Sequence, residues 1–454
     1  MWSGPELVNH IEWQLAEASA SPDLAAIVWR DRTLDYGDLV AEQRRLVDSL
    51  RGSGIAPGDS VGVIGDYSPV AIATLLALLE LRAILVPLSR DAVDQHEQFF
   101  GIAELDHLID IDDDDRFEIF RPALRRNHEL LDRLRTSGSP GLILFSSGSS
   151  GEPKAIVHDL EQILVKFRKP RHRLRTVNFL LFDHIGGVNT MFYTLANLGC
   201  TVIPRDRSVA RVCEAIDRHR VELLPTSPSF LNLLLFESAH SRFALDSLQL
   251  ITYGTEVMPE RTLKMANAAL PHVRFQQTYG LSEVGIMRSK SASNDSLMVK
   301  IGGEDYQTRV VDGTLRIRAR TSMLGYLNAP DPFDADGWFD TGDAVIQEGE
   351  YYRILGRESD LINVGGQKVY PTEVEKVLAE LPGVIDVAVS GEEHLLLGQI
   401  VVATLQMDEP VAAAEMRQRV NRHCRGRLQA YMIPQKVRIV DESPVNYRYK
   451  KIRR

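Results

Sequence analysis

The sequence predicts an α/β protein, with a large layered N-terminal domain on a mainly parallel sheet and a small α+β C-terminal unit. Three observations carry this. Short aliphatic runs alternate with helical patterns through most of the chain, the signature of strands joined by crossover helices. At 454 residues the chain is too long for one compact core. Beyond Gly302 the texture changes to short strands and turns.

Taken in order, a helical pattern opens at Thr33-Leu-Asp-Tyr-Gly-Asp-Leu, with Leu39, Leu46 and Leu50 on its apolar face. Gly52-Ser-Gly54 ends it, and Pro57-Gly-Asp59 forms a turn. Residues 61–64 read as a strand, 70–81 as a buried helix and 84–86 as a strand. Glu80 and Arg82 interrupt the apolar stretch 70–88, which makes it a core helix and no membrane span. Five aspartates fall within 110–115, but the glycine and glutamate of a calcium loop are missing, so this is a solvated acidic loop. Strands are expected at 142–145, 155–157, 179–182, 201–203, 223–224 and 250–253. A helix should open at Asp159, with Gln162 placed for a capping box. Later come strands within 308–320 and at 351–355, a turn at Gly365-Gly366, a helix from Thr372, strands at 384–390 and 399–405, and an amphipathic helix over about 412–428. The domain boundary falls near Ser359, dividing the chain into 1–358 and 359–454.

Composition narrows the class. A net charge of −10 argues against general nucleic-acid binding. The three cysteines, Cys200, Cys213 and Cys424, have neither metal spacing nor a disulfide framework. No basic-then-apolar leader opens the chain, so a cytoplasmic protein is expected.

The chemistry concentrates around Leu-Ile-Leu-Phe-Ser-Ser-Gly-Ser-Ser-Gly-Glu-Pro-Lys, residues 142–154. Ser146, Ser147, Gly148, Ser149, Ser150 and Gly151 supply hydroxyls and closely approaching amides, which together form an anion-binding concavity. Lys154 adds a point charge for phosphate. The Walker pattern does not fit, because Gly151 is followed by Glu152. This phosphate loop lies between two strands. Four further segments suit a nucleotide. Tyr279-Gly-Leu-Ser-Glu283 joins an aromatic, a hydroxyl and a carboxylate able to hold magnesium. Thr341-Gly-Asp343 places a carboxylate at a glycine turn, Gly356-Arg357 offers a guanidinium, and 449–454 is a basic tail.

In order and spacing these segments resemble the adenylate-forming superfamily: acyl-CoA synthetases, the adenylation domains of peptide synthetases and luciferase-like enzymes. Ser146 to Lys154 matches the family's phosphate loop, and Tyr279 to Glu283 its Tyr-Gly-x-[Ser/Thr]-Glu. Thr341 to Asp343, Gly356 to Asp360 and Tyr370-Pro-Thr-Glu-Val-Glu375 match three further motifs. The resemblance implies ATP-dependent activation of a carboxylic acid to an acyl-adenylate with release of pyrophosphate, then transfer to a thiol as a thioester. It implies that residues 146–154 cradle the β- and γ-phosphates, Tyr279 stacks on adenine, Ser282 contacts the α-phosphate, Glu283 binds Mg²⁺, and Asp343 with Arg357 holds the ribose. A catalytic lysine is expected in the tail. Lys451-Ile-Arg-Arg matches the family context, although Lys450 stands where a glycine belongs and counting from Pro444 points to Lys450; the assignment rests on Lys451. The small domain is expected to swing about Ser359, where the family has Asp or Lys.

The resemblance puts the acid pocket at residues 182–188, 226–230 and 253–256, with His184, Gly187, Ser227, Gly254 and Thr255 lining it. Phe182-Asp183 looks like the pair that binds an amino substrate. The alignment of His184-x-Gly-Gly instead puts Ile185 at the amino-recognising place, which favours an acyl or aryl acid over an amino acid. The thiol is coenzyme A or the phosphopantetheine of a carrier protein acting in trans, because no carrier segment is present. A kinase or other NTPase, and a nucleotide-binding relative with little ligase activity, are the alternatives.

Overall fold

The structure is a computed structural model, and it describes residues 9–122, 128–147, 153–441, 443–445 and 451. Two seven-stranded sheets form the large N-terminal part. One is built on the parallel strands Ser60–Gly65, Ile84–Ser89, His107–Ile111 and Gly141–Ser147. Antiparallel strands extend it at both ends: Phe117–Phe120 on one side, Pro153–Asp159 and Gly325–Tyr326 on the other. The second sheet runs parallel through Arg274–Gln277, Leu250–Tyr253, Leu223–Thr226, Arg175–Val177, Cys200–Ile203 and Ala25–Trp29, with Arg32–Asp35 antiparallel at its edge.

A layer of helices joins the sheets. Helix Pro69–Glu80 has Ser68 as its N-cap and proline at the first turn, and it buries residues on every side. This is why its sequence lacks an amphipathic period. Ile27 of one sheet, Val61 and Leu142 of the other, and Leu75 and Met191 of the helices share one core. A six-stranded antiparallel sheet from Ser289–Ser291 to Tyr351–Arg357 follows. The chain from Ile362 to Val437 then packs around a core of its own. There helices Pro371–Leu378 and Ala413–Cys424 accompany the sheet led by Val384–His394 and Gly398–Met407.

Four expectations shift. Thr33 and Leu34 belong to a strand, and the helix starts at Tyr36, where Asp35 and Asp38 form the capping box. Asp159 does cap its helix, through the amide of Glu161, but Gln162 instead accepts from Arg320 Nε at 2.9 Å. The amphipathic helix ends at Cys424, short of residue 428. Residues 179–182 are loop, because the strand stops at Val177. Their apolar character reflects burial: Phe179, Leu181 and Phe182 are enclosed without joining a sheet.

Candidate active site

A cleft of about 600 Å³ opens where the two large sheets and the antiparallel sheet converge. Strands Gly141–Ser147 and Pro153–Asp159 pair antiparallel up to Ser147 opposite Pro153. Ser146 and Lys154 line the cleft. Gly148, Ser149, Ser150 and Gly151 lie outside the described residues, as does the side chain of Ser147. Lys154 Nζ sits 5.2 Å above the Tyr326 ring. The Tyr326 hydroxyl in turn donates to Glu283 Oε1 at 2.9 Å. Burial and the adjoining carboxylate push this phenol above its ordinary range. A cation, an aromatic face and a carboxylate are thus held together beside Ser146.

Ser282 and Glu283 both line the cleft. Their segment is pinned from behind by His158 Nε2, which donates to the Ser282 carbonyl at 2.6 Å. Burial, the largest influence, draws His158 down to about 4, so the ring is a neutral donor. The Glu283 backbone carbonyl accepts from Met323 N at 2.7 Å.

Tyr279, Asp343 and Arg357 form a second unit. Asp343 and Arg357 face each other in register on paired antiparallel strands, with Arg357 Nε 3.3 Å from Asp343 Oδ1. The buried Tyr279 hydroxyl donates to Asp343 Oδ2. Burial raises the Asp343 carboxyl, and the guanidinium and the phenol oppose that rise. Arg357 reaches the cleft, whereas Tyr279 and Asp343 lie just behind the wall formed by Thr278, Gly280, Thr341 and Gly342.

On the acid side His184 lines the cleft and caps helix Ile185–Ala196, its Nδ1 accepting from Gly186 N at 3.1 Å. The cap leaves the ring proton on Nε2. Ser227 caps helix Pro228–Phe236 through Phe230 N at 3.1 Å and also lines the cleft, with Gly254 and Thr255. Gly187 stands behind the wall: a Cβ there would come within 2.1 Å of the Leu181 carbonyl oxygen and 2.8 Å of the Tyr67 hydroxyl. Gly186 is the one that lines the space. Asp183 is buried and outside the lining.

Ser359 sits at the cleft mouth, in the single turn Glu358–Asp360 between the antiparallel sheet and the C-terminal unit. Lys451 is elsewhere. Its ammonium donates to the Val387 carbonyl at 2.7 Å and lies 3.6 Å from Glu375 and 3.7 Å from Asp386, in a groove between the N- and C-terminal parts. Its backbone amide donates to Glu256 Oε1 at 2.7 Å, next to Thr255 of the cleft.

Sequence reading missed Tyr326, His158, Asn189 and Lys166. Only Lys166 left a signal, a cation set between the apolar residues Ile163, Leu164, Val165 and Phe167. Its ammonium donates to Asn189 Oδ1 at 2.6 Å and the Ile286 carbonyl at 2.8 Å, and loss of hydration draws it down to about 7.

The sequence profile of the AMP-binding enzyme family matches residues 15–327, and that of the AMP-binding enzyme C-terminal domain matches 373–448. Indoleacetate–CoA ligase of Aromatoleum aromaticum is 28% identical, over 95% of this chain and 94% of its own. 2-Succinylbenzoate–CoA ligase of Bacillus subtilis is 24% identical, over 98% and 97%. The fold matches that of an anthranilate CoA ligase in complex with anthranoyl-AMP, with a TM-score of 0.83 at 20% identity over 99% of this chain and 96% of that one. A profile that covers most of the chain, and a cleft that gathers the phosphate-loop base, the Tyr-Gly-x-Ser-Glu segment and the arginine of the ribose end, lead to one conclusion: the chain belongs to the AMP-binding enzyme family of the adenylate-forming superfamily and is an AMP-forming acid–thiol ligase.

Proposed function

We propose that the chain activates an aryl or acyl carboxylic acid with ATP and passes it to coenzyme A. The observation that carries this reading is the single cleft with phosphate-binding groups at one end and the apolar residues Phe179, Leu180, Leu181 and Ile185 at the other. A carboxylate is a poor electrophile. Its attack on the α-phosphorus forms the acyl–O–P bond and breaks the α–β P–O bond, so pyrophosphate leaves. The thiol sulfur then bonds to the acyl carbon, and AMP leaves with the electron pair. The protein's share is positioning and charge neutralisation. Residues 146–154 hold the β- and γ-phosphates, Ser282 the α-phosphate, and Arg357 with Asp343 the ribose. Tyr279 supports the adenine from beneath the floor.

Glu283 suits magnesium: it is a hard oxygen donor on the cleft wall beside Lys154, oriented by Tyr326. No cluster of three metal-ligating side chains occurs among the described residues, so one carboxylate and the phosphates would hold the ion. Bound there, magnesium would neutralise charge on the departing pyrophosphate.

The division into 1–358 and 359–454, with Ser359 as hinge, fits the separate core that begins at Ile362. Coenzyme A is favoured over a carrier protein because the indoleacetate and succinylbenzoate relatives are CoA ligases, and the aromatic acids they act on favour an aryl substrate here. We place the reaction in the cytoplasm, where both cosubstrates are made; no helix among the described residues is long and apolar enough to cross a membrane.

The tail lysine of the first step remains Lys451, with Lys450 as the alternative counted from Pro444; Glu375, Asp386 and Val387, which hold the Lys451 ammonium, belong to the same C-terminal unit and move with it. Pyrophosphate exchange into ATP across a panel of carboxylic acids tests the ligase reading, and no exchange with any acid sinks it. Within it, Lys451→Ala should lose about 10²–10³ in adenylation yet still form thioester from preformed acyl-adenylate. That loss appearing in Lys450→Ala alone would move the role to Lys450.

A further inference from the structure

Helix Ile185–Ala196 turns one face to the acid end of the cleft, and Ile185, Gly186, Asn189 and Thr190, spaced at i and i+4, line it. Asn189 is the one amide on that face, and Lys166 determines which way it points. Lys166 Nζ donates to Asn189 Oδ1 at 2.6 Å, so the carbonyl oxygen of the amide faces the lysine. The amide nitrogen therefore points away from the lysine, and it donates to no described residue. Lys166 is itself held by the Ile286 carbonyl at 2.8 Å, and Ile286 lines the same cleft. No carboxylate among the described residues pairs with Lys166. A cation enclosed without a counter-charge is costly to keep, and here its contacts are with two parts of the substrate wall.

We propose that Lys166 orients Asn189 so that its amide N–H groups read a hydrogen-bond acceptor on the acyl part of the acid, away from the carboxylate being activated. The preferred substrate then carries a hydroxyl, carbonyl or second carboxylate oxygen at that place. The inference deepens the ligase reading and rests on it. Asn189 is the specificity residue and Lys166 a positioning residue acting through it. Filling that place with a methyl group leaves a desolvated amide unpaired, and it is this penalty that discriminates.

The test uses the full-length enzyme and matched arylacetic and arylpropionic acids that differ only in carrying an oxygen or a methyl group at one ring position, with each position sampled. The readout is kcat/KM for pyrophosphate exchange. The wild type should prefer the oxygen-bearing member of at least one pair by about ten- to a hundredfold. Asn189→Leu should bring that ratio to about one. Lys166→Met should lower it severalfold, through a raised KM for the oxygen-bearing acid with kcat held, and Lys166→Arg should restore most of it. Asn189→Asp keeps the shape and replaces donors with acceptors, so for pairs whose oxygen only accepts (a carbonyl, methoxy or carboxylate oxygen) it should reverse the preference even if the leucine variant folds poorly. A wild type that prefers the methyl member throughout, or an Asn189→Asp ratio equal to wild type, overturns the proposal while leaving the ligase intact. A wild type that activates no acid overturns the ligase reading, and this one with it.

Discussion

Lys166 also makes a stability prediction. Its folded-state value of about 7 lies below the ordinary lysine value of 10.5, so between these pH values the unfolded chain binds more protons than the folded one. Stability contributed by this site therefore rises with pH from about 7 to about 10.5, and the penalty is fully present below 7. Lys166→Met abolishes that dependence. Between pH 7 and pH 9.5 the melting temperature of the wild type should gain several degrees on the variant; an unchanged difference would show that the ammonium is well hydrated. Individual residues of the nucleotide end were legible because their chemistry is tied to short motifs. Asp343 and Arg357 are read from Thr-Gly-Asp and Gly-Arg, and strand register brings them within 3.3 Å. The contacts that hold these residues in place were not legible. His158 and Tyr326 reach Ser282 and Glu283 across more than forty residues, and nothing local marks them.

Among elements, the loop ahead of helix Ile185–Ala196 is the most exacting. Gly187 is required by close approach, since any side chain would collide with the Leu181 carbonyl. Gly187→Ala should cost about 1–3 kcal/mol, visible as a lowered melting temperature, and should raise KM for the acid as the 180–184 loop shifts. A variant as stable as wild type would show that the loop can yield. The same loop explains the misread strand at 179–182. Four apolar residues in a row signal burial, and periodicity alone does not say whether a sheet or a cleft wall does the burying. The phosphate-loop hairpin was read well because an apolar strand on each side frames the serines and glycines.

At the scale of the molecule, the described contacts between the C-terminal unit and the large one include hydrogen bonds and an ion pair, Thr372 Oγ1 to the Leu355 carbonyl at 2.6 Å among them. Lys376 Nζ bonds Glu260 Oε2 at 2.8 Å, Asn232 Nδ2 donates to the Ile385 carbonyl at 3.2 Å, and the Lys451 amide meets Glu256. The lysine–glutamate pair is exposed and should contribute under about 1 kcal/mol. Lys376→Ala should therefore change both half-reactions by less than about fivefold, measured separately as pyrophosphate exchange and as thioester formation from preformed acyl-adenylate. A hundredfold loss in one of them would mean that this pair sets the docked arrangement. The single turn at Glu358–Asp360 that joins the two units suits the proposed hinge at Ser359.

By itself the sequence determined the fold class and the nucleotide chemistry, because alternating apolar periods and glycine-bound motifs are local properties of the chain. It also named residues that face the cleft: Ser146, Lys154, His184, Ser227, Gly254, Thr255, Ser282, Glu283 and Arg357 share one space. Only the tertiary structure decided that Gly187 stands behind the wall, that the Lys451 ammonium is engaged away from the cleft, and that Lys166 meets Asn189 of its wall. Each of these turns on which side of a backbone a side chain occupies and what lies opposite it. Long-range packing sets that, and no pattern along the chain records it.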